Sequence, residues 1–306
     1  MSIPVLLQQM GVIAILVIIG FLLRRKDVVD DLTSRKLSAI VVDVCNPALI
    51  LASILSGNIT ATHHDLIIAG IIGVFFYIVL IILGCIMPFI LKAAPENRRF
   101  YNLMTVYTNI GFLGIPVAKA ILPENAILYV IVLNVMYSLL FYTHGLRVLN
   151  GRYGHMSIKN IFNPGTVMAA FSLFVFWFGI TLPPIISNTV QYTGNATVFL
   201  SMVMLGVSIA RSKVTDALKD IRIWAYIGLR MLLIPVIIIL IMKKAGFDSV
   251  AIRAMCLMAS VPVGNLPMIQ AEKAGMDTRI LSSAIALTTV FSMFSIPLLQ
   301  AVITLL

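Results

Sequence analysis

Apolar residues in this chain come in long unbroken runs, neither alternating as in strands nor striped as in surface helices. About ten runs approach the roughly 20 residues a helix needs to cross a hydrocarbon core. They lie at about 5–23, 36–56, 66–91, 99–122, 126–148, 161–181, 186–210, 222–243, 251–273 and 279–304. The pattern predicts an all-α membrane protein of ten transmembrane helices. Short polar loops separate the runs, the longest about a dozen residues.

Two of the runs carry helix breakers at their centres. The fourth contains Thr108-Asn109-Ile110-Gly111-Phe112-Leu113-Gly114-Ile115-Pro116. The ninth contains Pro262-Val263-Gly264-Asn265-Leu266-Pro267. Gly and Pro are poor helix formers, and Pro removes a backbone donor. A broken helix at membrane depth is tolerated only where it is buried in protein or lines a cavity. Paired breaks at corresponding places in two halves are the best sequence pointer to a transporter's binding site. Both breaks fall in the fourth span of a five-span half. The expected organisation is therefore two inverted five-helix repeats, 1–149 and 161–306, joined by a cytoplasmic linker at 150–160, with broken helices 4 and 9 crossing.

Charge adds orientation. Of the 22 lysines and arginines, 17 fall in loops on one side and four on the other (Lys119, Lys243, Lys244 and Arg253), while Arg230 lies within a span. By the positive-inside rule the 17-charge side is cytoplasmic, which puts both termini outside a plasma membrane that the chain crosses many times. The first apolar run has no basic start and is followed by Arg24-Arg25-Lys26. It is expected to be a retained span rather than a cleaved signal. The net charge of +10 belongs to these loops and implies no nucleic-acid partner. Hydrophobic residues make up 60% of the chain and charged ones 11%, which makes the lipid bilayer its first partner.

The crossing of two broken helices offers half-helix ends, with N–H groups of positive and C=O groups of negative partial charge. Asn109 and Asn265 add amides that both donate and accept. Such a set suits a small carboxylate, although the carbonyl ends would equally hold Na⁺. Candidate substrate contacts are Asn109, Ile110, Gly111, Pro116, Val263, Gly264, Asn265 and Pro267. Asn46, in Asn46-Pro47, joins them as a further break in span 2, with a kink closed by the Asn side chain as the plainer account. Asp43 is an intramembrane carboxylate and hence a functional candidate. It would carry a proton, coordinate Na⁺ or pair with Arg230. Alternatively it snorkels, since it stands only about two turns from Lys36, roughly 10 Å of helix. Glu272 is a second candidate for ion coupling, or the solvated end of span 9. Arg230 is a third, with an anion, Asp43 or the interfacial zone as its partner. Asn134, Tyr137 and His144 of span 5 share roughly one helical face, suited to a path or to interhelical hydrogen bonds.

Other chemistries find no support. There is no His-Glu-x-x-His, no Walker A pattern and no complete Gly-x-Ser-x-Gly elbow around Ser208. Cys45, Cys85 and Cys256 have no metal or redox spacing. His63-His64-Asp65 gives adjacent histidines that point different ways on a helix. No enzyme, metal site or cofactor is expected beyond H⁺ or Na⁺ as a coupling ion.

Asn109-Ile110-Gly111-Phe112-Leu113-Gly114-Ile115-Pro116-Val117 resembles the fourth-span motif of the auxin efflux carrier family, which includes plant PIN-type carriers and bacterial permeases. Val261-Pro262-Val263-Gly264-Asn265-Leu266-Pro267 with Ala271-Glu272-Lys273 resembles its ninth-span motif. Asn163-Pro164 and Leu205-Gly206-Val207-Ser208 also fit, so the likeness covers nearly the whole chain. The resemblance implies the fold of bile-acid and sodium symporters, with a scaffold from spans 1, 2, 6 and 7 and a transport domain from spans 3–5 and 8–10. It further implies elevator-type movement of small organic anions, and a homodimer through the scaffold. Asn109 falls where the plant carriers place an Asn that meets the substrate carboxylate. The plant carriers usually have Gln at the place of Val263 and an apolar residue at that of Asn265, so auxin specificity is not implied. The alternatives are a sodium-coupled carrier of a neutral or sterol-like solute on the same fold, and a non-transporting membrane sensor.

Overall fold

In a computed structural model the chain is described over residues 3–55, 62–151, 162–211 and 217–305. Among these residues it is helical throughout, apart from turns and a single isolated β-bridge. The helices are α1 (Ile3–Arg25), α2 (Asp31–Leu55), α3 (His63–Ile90), α4 (Arg98–Val106), α5 (110–121), α6 (Ala126–Asn150), α7 (Pro164–Phe178), α8 (Pro184–Arg211), α9 (Ile221–Lys244), α10 (Ser249–Ser260), α11 (Asn265–Lys273) and α12 (Arg279–Leu305). Six of them, α2, α3, α6, α8, α9 and α12, are long and apolar enough to cross a membrane. The fourth and ninth apolar runs each form two shorter helices, α4 with α5 and α10 with α11. Apart from Asn150 and Gly151, the linker expected at 150–160 lies outside the described residues.

Local chemistry sets the helix limits. Asn163 caps α7, accepting from Thr166 N at 3.0 Å, and Pro164 follows at the first turn, where its missing N–H costs nothing. Asp30 caps α2 by accepting from Thr33 N at 2.7 Å, and Asp248 caps α10 by accepting from Val250 N and Ala251 N. On α3 a stripe of large apolar side chains is exposed (Ile67, Ile71, Phe75, Ile78, Ile82, Ile86 and Phe89). Water would penalise such a face; lipid does not.

The chain resolves into two compact units, each assembled from separated segments. Unit 1 comprises 1–70, 110–135 and 162–211; unit 2 comprises 71–109, 136–161 and 212–306. In unit 1, α1 packs along α8 with backbones in near contact. A Cβ on Gly20 would stand 1.9 Å from Val203 O, and one on Gly206 1.9 Å from Val17 O. Small residues permit this approach, as is common between membrane helices. In unit 2 the two half-helices α4 and α10 are enclosed: Phe100 to Val106 and Ala254 to Ser260 are all buried.

Span 2 departs from expectation. Asn46-Pro47 does not break it; the helix runs on from Asp31 to Leu55. A wide π-turn, Val41–Cys45, ends two residues before the proline. It loosens the turn that the Pro47 ring would otherwise crowd, so the missing N–H is absorbed without interruption.

Candidate functional site

The two breaks meet within unit 2. Thr108 and Val263 form an antiparallel β-bridge. The Asn109 N–H donates to Pro262 O at 2.8 Å, and the Gly264 N–H donates to Tyr107 O at 3.0 Å. Each interrupted helix thus supplies partners for the backbone groups that the other has freed. The bridge is deeply buried: Tyr107 is 0% exposed, Thr108 and Asn109 4% and Val263 2%. Its closeness fixes one residue type. A Cβ on Gly264 would lie 2.8 Å from Thr108 O and 3.0 Å from Tyr107 O, both backbone atoms. Only glycine fits there.

The two helix ends are closed in parallel fashion. At the end of α4, Thr105 Oγ1 donates to Tyr101 O at 2.7 Å and Tyr107 N to Leu103 O at 2.8 Å. At the end of α10, Ser260 Oγ donates to Cys256 O at 2.6 Å and Val261 N to Leu257 O at 3.0 Å. Arg230 then serves both ends at once. Its Nε donates to Thr105 O at 2.9 Å, and its Nη1 donates to Ala259 O. Arg230 is 1% exposed, so it neither snorkels nor faces an interface. It acts as a shared C-terminal cap, a favourable place for a cation.

A further support comes from α12. Thr288 Oγ1 accepts from Val263 N at 3.2 Å and donates to Ala284 O at 2.6 Å. From α6, His144 Nδ1 stands 2.8 Å from Tyr107 Oη, which donates to Leu140 O at 2.9 Å. With its single hydrogen spent on Leu140, the Tyr107 hydroxyl accepts from His144, which fixes the proton on Nδ1. Tyr137 and Phe141 pack edge-on against the Tyr107 ring at 5.6 and 5.0 Å between centroids.

At the head of α11, Asn265 Oδ1 is buried and has no hydrogen-bond partner among the described residues. This side chain, the Asn109 amide and the α11 N-terminus form a small, largely neutral set of directed groups, while the N–H groups of Val263 and Gly264 are already held by Thr288 and Tyr107. Pro267 is buried two residues beyond Asn265. Such a set can orient a compact polar solute without a fixed counter-charge.

The profile of the family described as Membrane transport protein matches residues 5–158 and 153–300. This chain belongs to that family. The resemblance to auxin efflux carriers is thereby borne out. An uncharacterized transporter of Methanothermobacter thermautotrophicus is 25% identical over 302 residues, covering 95% of this chain and 96% of its own. An uncharacterized transporter of Methanocaldococcus jannaschii is 24% identical over 298 residues, covering 94% and 95%. The helical, lipid-suited architecture agrees with a multi-pass membrane transport protein.

Of the residues singled out in the sequence, Asn109, Val263, Gly264 and Asn265 come together at the bridge, with Arg230 behind it. Ile110, Gly111, Pro116, Asn46 and Asp43 belong to unit 1. There Asn46 is buried, and its Nδ2 lies 3.3 Å from where a Gly111 Cβ would be. Asn46 Oδ1 has no partner among the described residues. Asp43 is exposed on α2 and takes part in none of the ion pairs found among the described residues. Glu272 lies on α11, but its side chain is outside the described residues. Asn134 is buried in unit 1, whereas Tyr137 and His144 belong to unit 2. His63 stacks on Trp177 at 4.4 Å, and no cluster of three or more His, Cys, Asp or Glu among the described residues could hold a metal.

Sequence reasoning missed Tyr107, Thr288 and the helix-capping role of Arg230. The structure adds a marker that the sequence does not show. Three π-turns, Val41–Cys45, Ile110–Gly114 and Leu229–Leu233, each end two residues before a proline (Pro47, Pro116 and Pro235). They carry Asp43, Gly111 and Arg230, and a fourth, Phe141–Gly145, carries His144. Wide turns of this kind recur at functional sites.

Proposed function

We propose that this protein is a secondary active transporter of a small organic anion, a mono- or dicarboxylate. The carboxylate is bound at the bridge between the two interrupted helices, by the side-chain amides of Asn109 and Asn265 and the N-terminal end of α11. The observation that carries this reading is the Thr108–Val263 bridge itself. Two apolar helices stop at one buried place and turn their freed backbone groups on each other there, and paired breaks of this kind mark binding sites in membrane transporters. The matched closure of α4 and α10, hydroxyl to i−4 carbonyl at each end, supports ten spans arranged as inverted repeats. The proposed mechanism is of the elevator type, with a scaffold from spans 1, 2, 6 and 7 and a transport domain from spans 3–5 and 8–10; the compact units follow this division for spans 1, 2, 6, 7 and 8–10, while 110–135 of spans 4 and 5 groups with unit 1. Asp43 and Glu272 are the groups through which H⁺ or Na⁺ couples, and a homodimer through the scaffold helices is the proposed assembly.

A sodium-coupled carrier of a neutral solute is less favoured, because Arg230 already occupies carbonyls at both helix ends that would coordinate Na⁺. The test is a thermal-shift screen of purified protein against acetate, malonate and larger carboxylates, with and without Na⁺, at two pH values. A ligand of the folded state raises apparent stability. Stabilisation by one class of carboxylate, lost in Asn109→Ala and Asn265→Ala, is expected. Stabilisation unchanged in both variants would remove the site assignment, and stabilisation by Na⁺ with no carboxylate effect would favour the neutral-solute carrier.

A further inference from the structure

We infer that Arg230 is the positioning residue that sets the charge preference of the bridge, by cancelling two helix dipoles that would otherwise make it a cation site. The inference rests on the carboxylate reading above and deepens it. The C-terminus of a helix carries roughly half a negative charge. Two such ends, those of α4 and α10, converge where the 107–109 and 261–264 segments begin. Together they would place about one negative charge behind the candidate site. Arg230 supplies one positive charge on those same ends, to Thr105 O and Ala259 O. The two terms offset. What remains at the bridge is the N-terminal end of α11 and the amides of Asn109 and Asn265, which favours an anion.

Geometry makes this a guanidinium's task. One planar group reaches two carbonyls on different helices, 125 and 29 residues away in sequence. A fork of fixed donors also holds the two helix ends in register. The π-turn Leu229–Leu233 places Arg230 on the buried face of α9, beside the buried Met231. The charge is not spent on a carboxylate, since Arg230 takes part in no ion pair among the described residues. It is therefore free to act on the dipoles. Its Nη2 has no hydrogen-bond partner among the described residues, so the fork has a donor beyond the two it spends on the helix ends.

Two readouts separate position from charge. In hydrogen exchange of the purified wild type, the amides of Asn109 and Gly264 should be protected although neither lies within an α-helix. Arg230→Gln should speed exchange there by at least about tenfold, leaving α1 and α8 unchanged. Arg230→Lys, which keeps the charge but not the fork, should fall between. For whichever screened carboxylate stabilises the wild type, Arg230→Gln should weaken binding at least about tenfold and raise affinity for Na⁺, while Arg230→Lys stays within a few-fold. Unchanged exchange and unchanged carboxylate affinity in Arg230→Gln would overturn the inference. So would equal loss of affinity in the Gln and Lys variants with exchange unaltered, which would mean direct contact. If the Gln variant does not fold, the Lys variant and the wild-type exchange decide, and unprotected Asn109 and Gly264 amides in the wild type would also overturn it. If no carboxylate binds the wild type, the proposed substrate fails while the exchange readout still judges Arg230.

Discussion

At the scale of single residues, the bridge depends on groups that cannot be exchanged for near neighbours. Gly264 faces backbone atoms of Tyr107 and Thr108 that have nowhere to go. Gly264→Ala should cost about 1–3 kcal/mol through forced displacement and should weaken substrate binding. Gly111→Ala meets only the Asn46 side-chain amide at 3.3 Å, a group able to shift, and should cost under about 1 kcal/mol. Thermal unfolding of the two variants checks the contrast, and equal losses would contradict it. The breakers themselves were legible in the sequence, since Asn, Gly and Pro stand out in an apolar run. The partners were not. Arg230 reads as an isolated intramembrane charge, because the carbonyls it serves leave no trace in residue type. Thr288 reads as one hydroxyl among Thr289, Ser292 and Ser295 on an apolar helix. Tyr107 reads as an aromatic beside a motif.

At the scale of elements, helix ends were read well where a side chain does the work. Asn163-Pro164 caps and opens α7 as its residues suggest. Asn163→Ala should cost about 1 kcal/mol and Asn163→Ser little, by thermal unfolding in detergent. Asp30 gives a pH test. Its hydrogen bonds from Thr33, backbone first and then side chain, hold the carboxyl below its ordinary value. A depressed folded-state pKa contributes stability that is present above the ordinary value, about 3.9, and lost as pH falls through the lower folded one. Protection of the Thr33 amide, measured against its intrinsic exchange rate, should therefore fall in acid, and Asp30→Asn should flatten that fall. What sequence did not reveal was the π-turn. Pro47 looked like a break and is an accommodation, because the chain widens one turn to make room. The same solution precedes Pro116 and Pro235, yet Phe141–Gly145 has no proline two residues on, so proline alone does not predict these turns.

At the scale of the whole molecule, the apolar runs and loop charges were legible because lipid imposes length and the positive-inside bias imposes order. The two compact units were not. Their borders cut through α3 and α6 at 70/71 and 135/136, where nothing in composition changes. Orientation is open to a direct check. Cysteines placed in the Arg24–Asp30 turn should be shielded from a membrane-impermeant thiol reagent in intact cells, and cysteines near Phe247 should be labelled. The reverse pattern would invert the topology.

The central claim concerns one solute at one bridge. It is tested most directly by counterflow of a labelled carboxylate, chosen from the stability screen, in proteoliposomes holding wild type, Asn109→Ala or Asn265→Ala. The account predicts accumulation driven by unlabelled carboxylate inside, strongly reduced in both variants at equal protein incorporation. Wild-type vesicles that exchange no carboxylate, or variants that exchange it as fast as wild type, would contradict it.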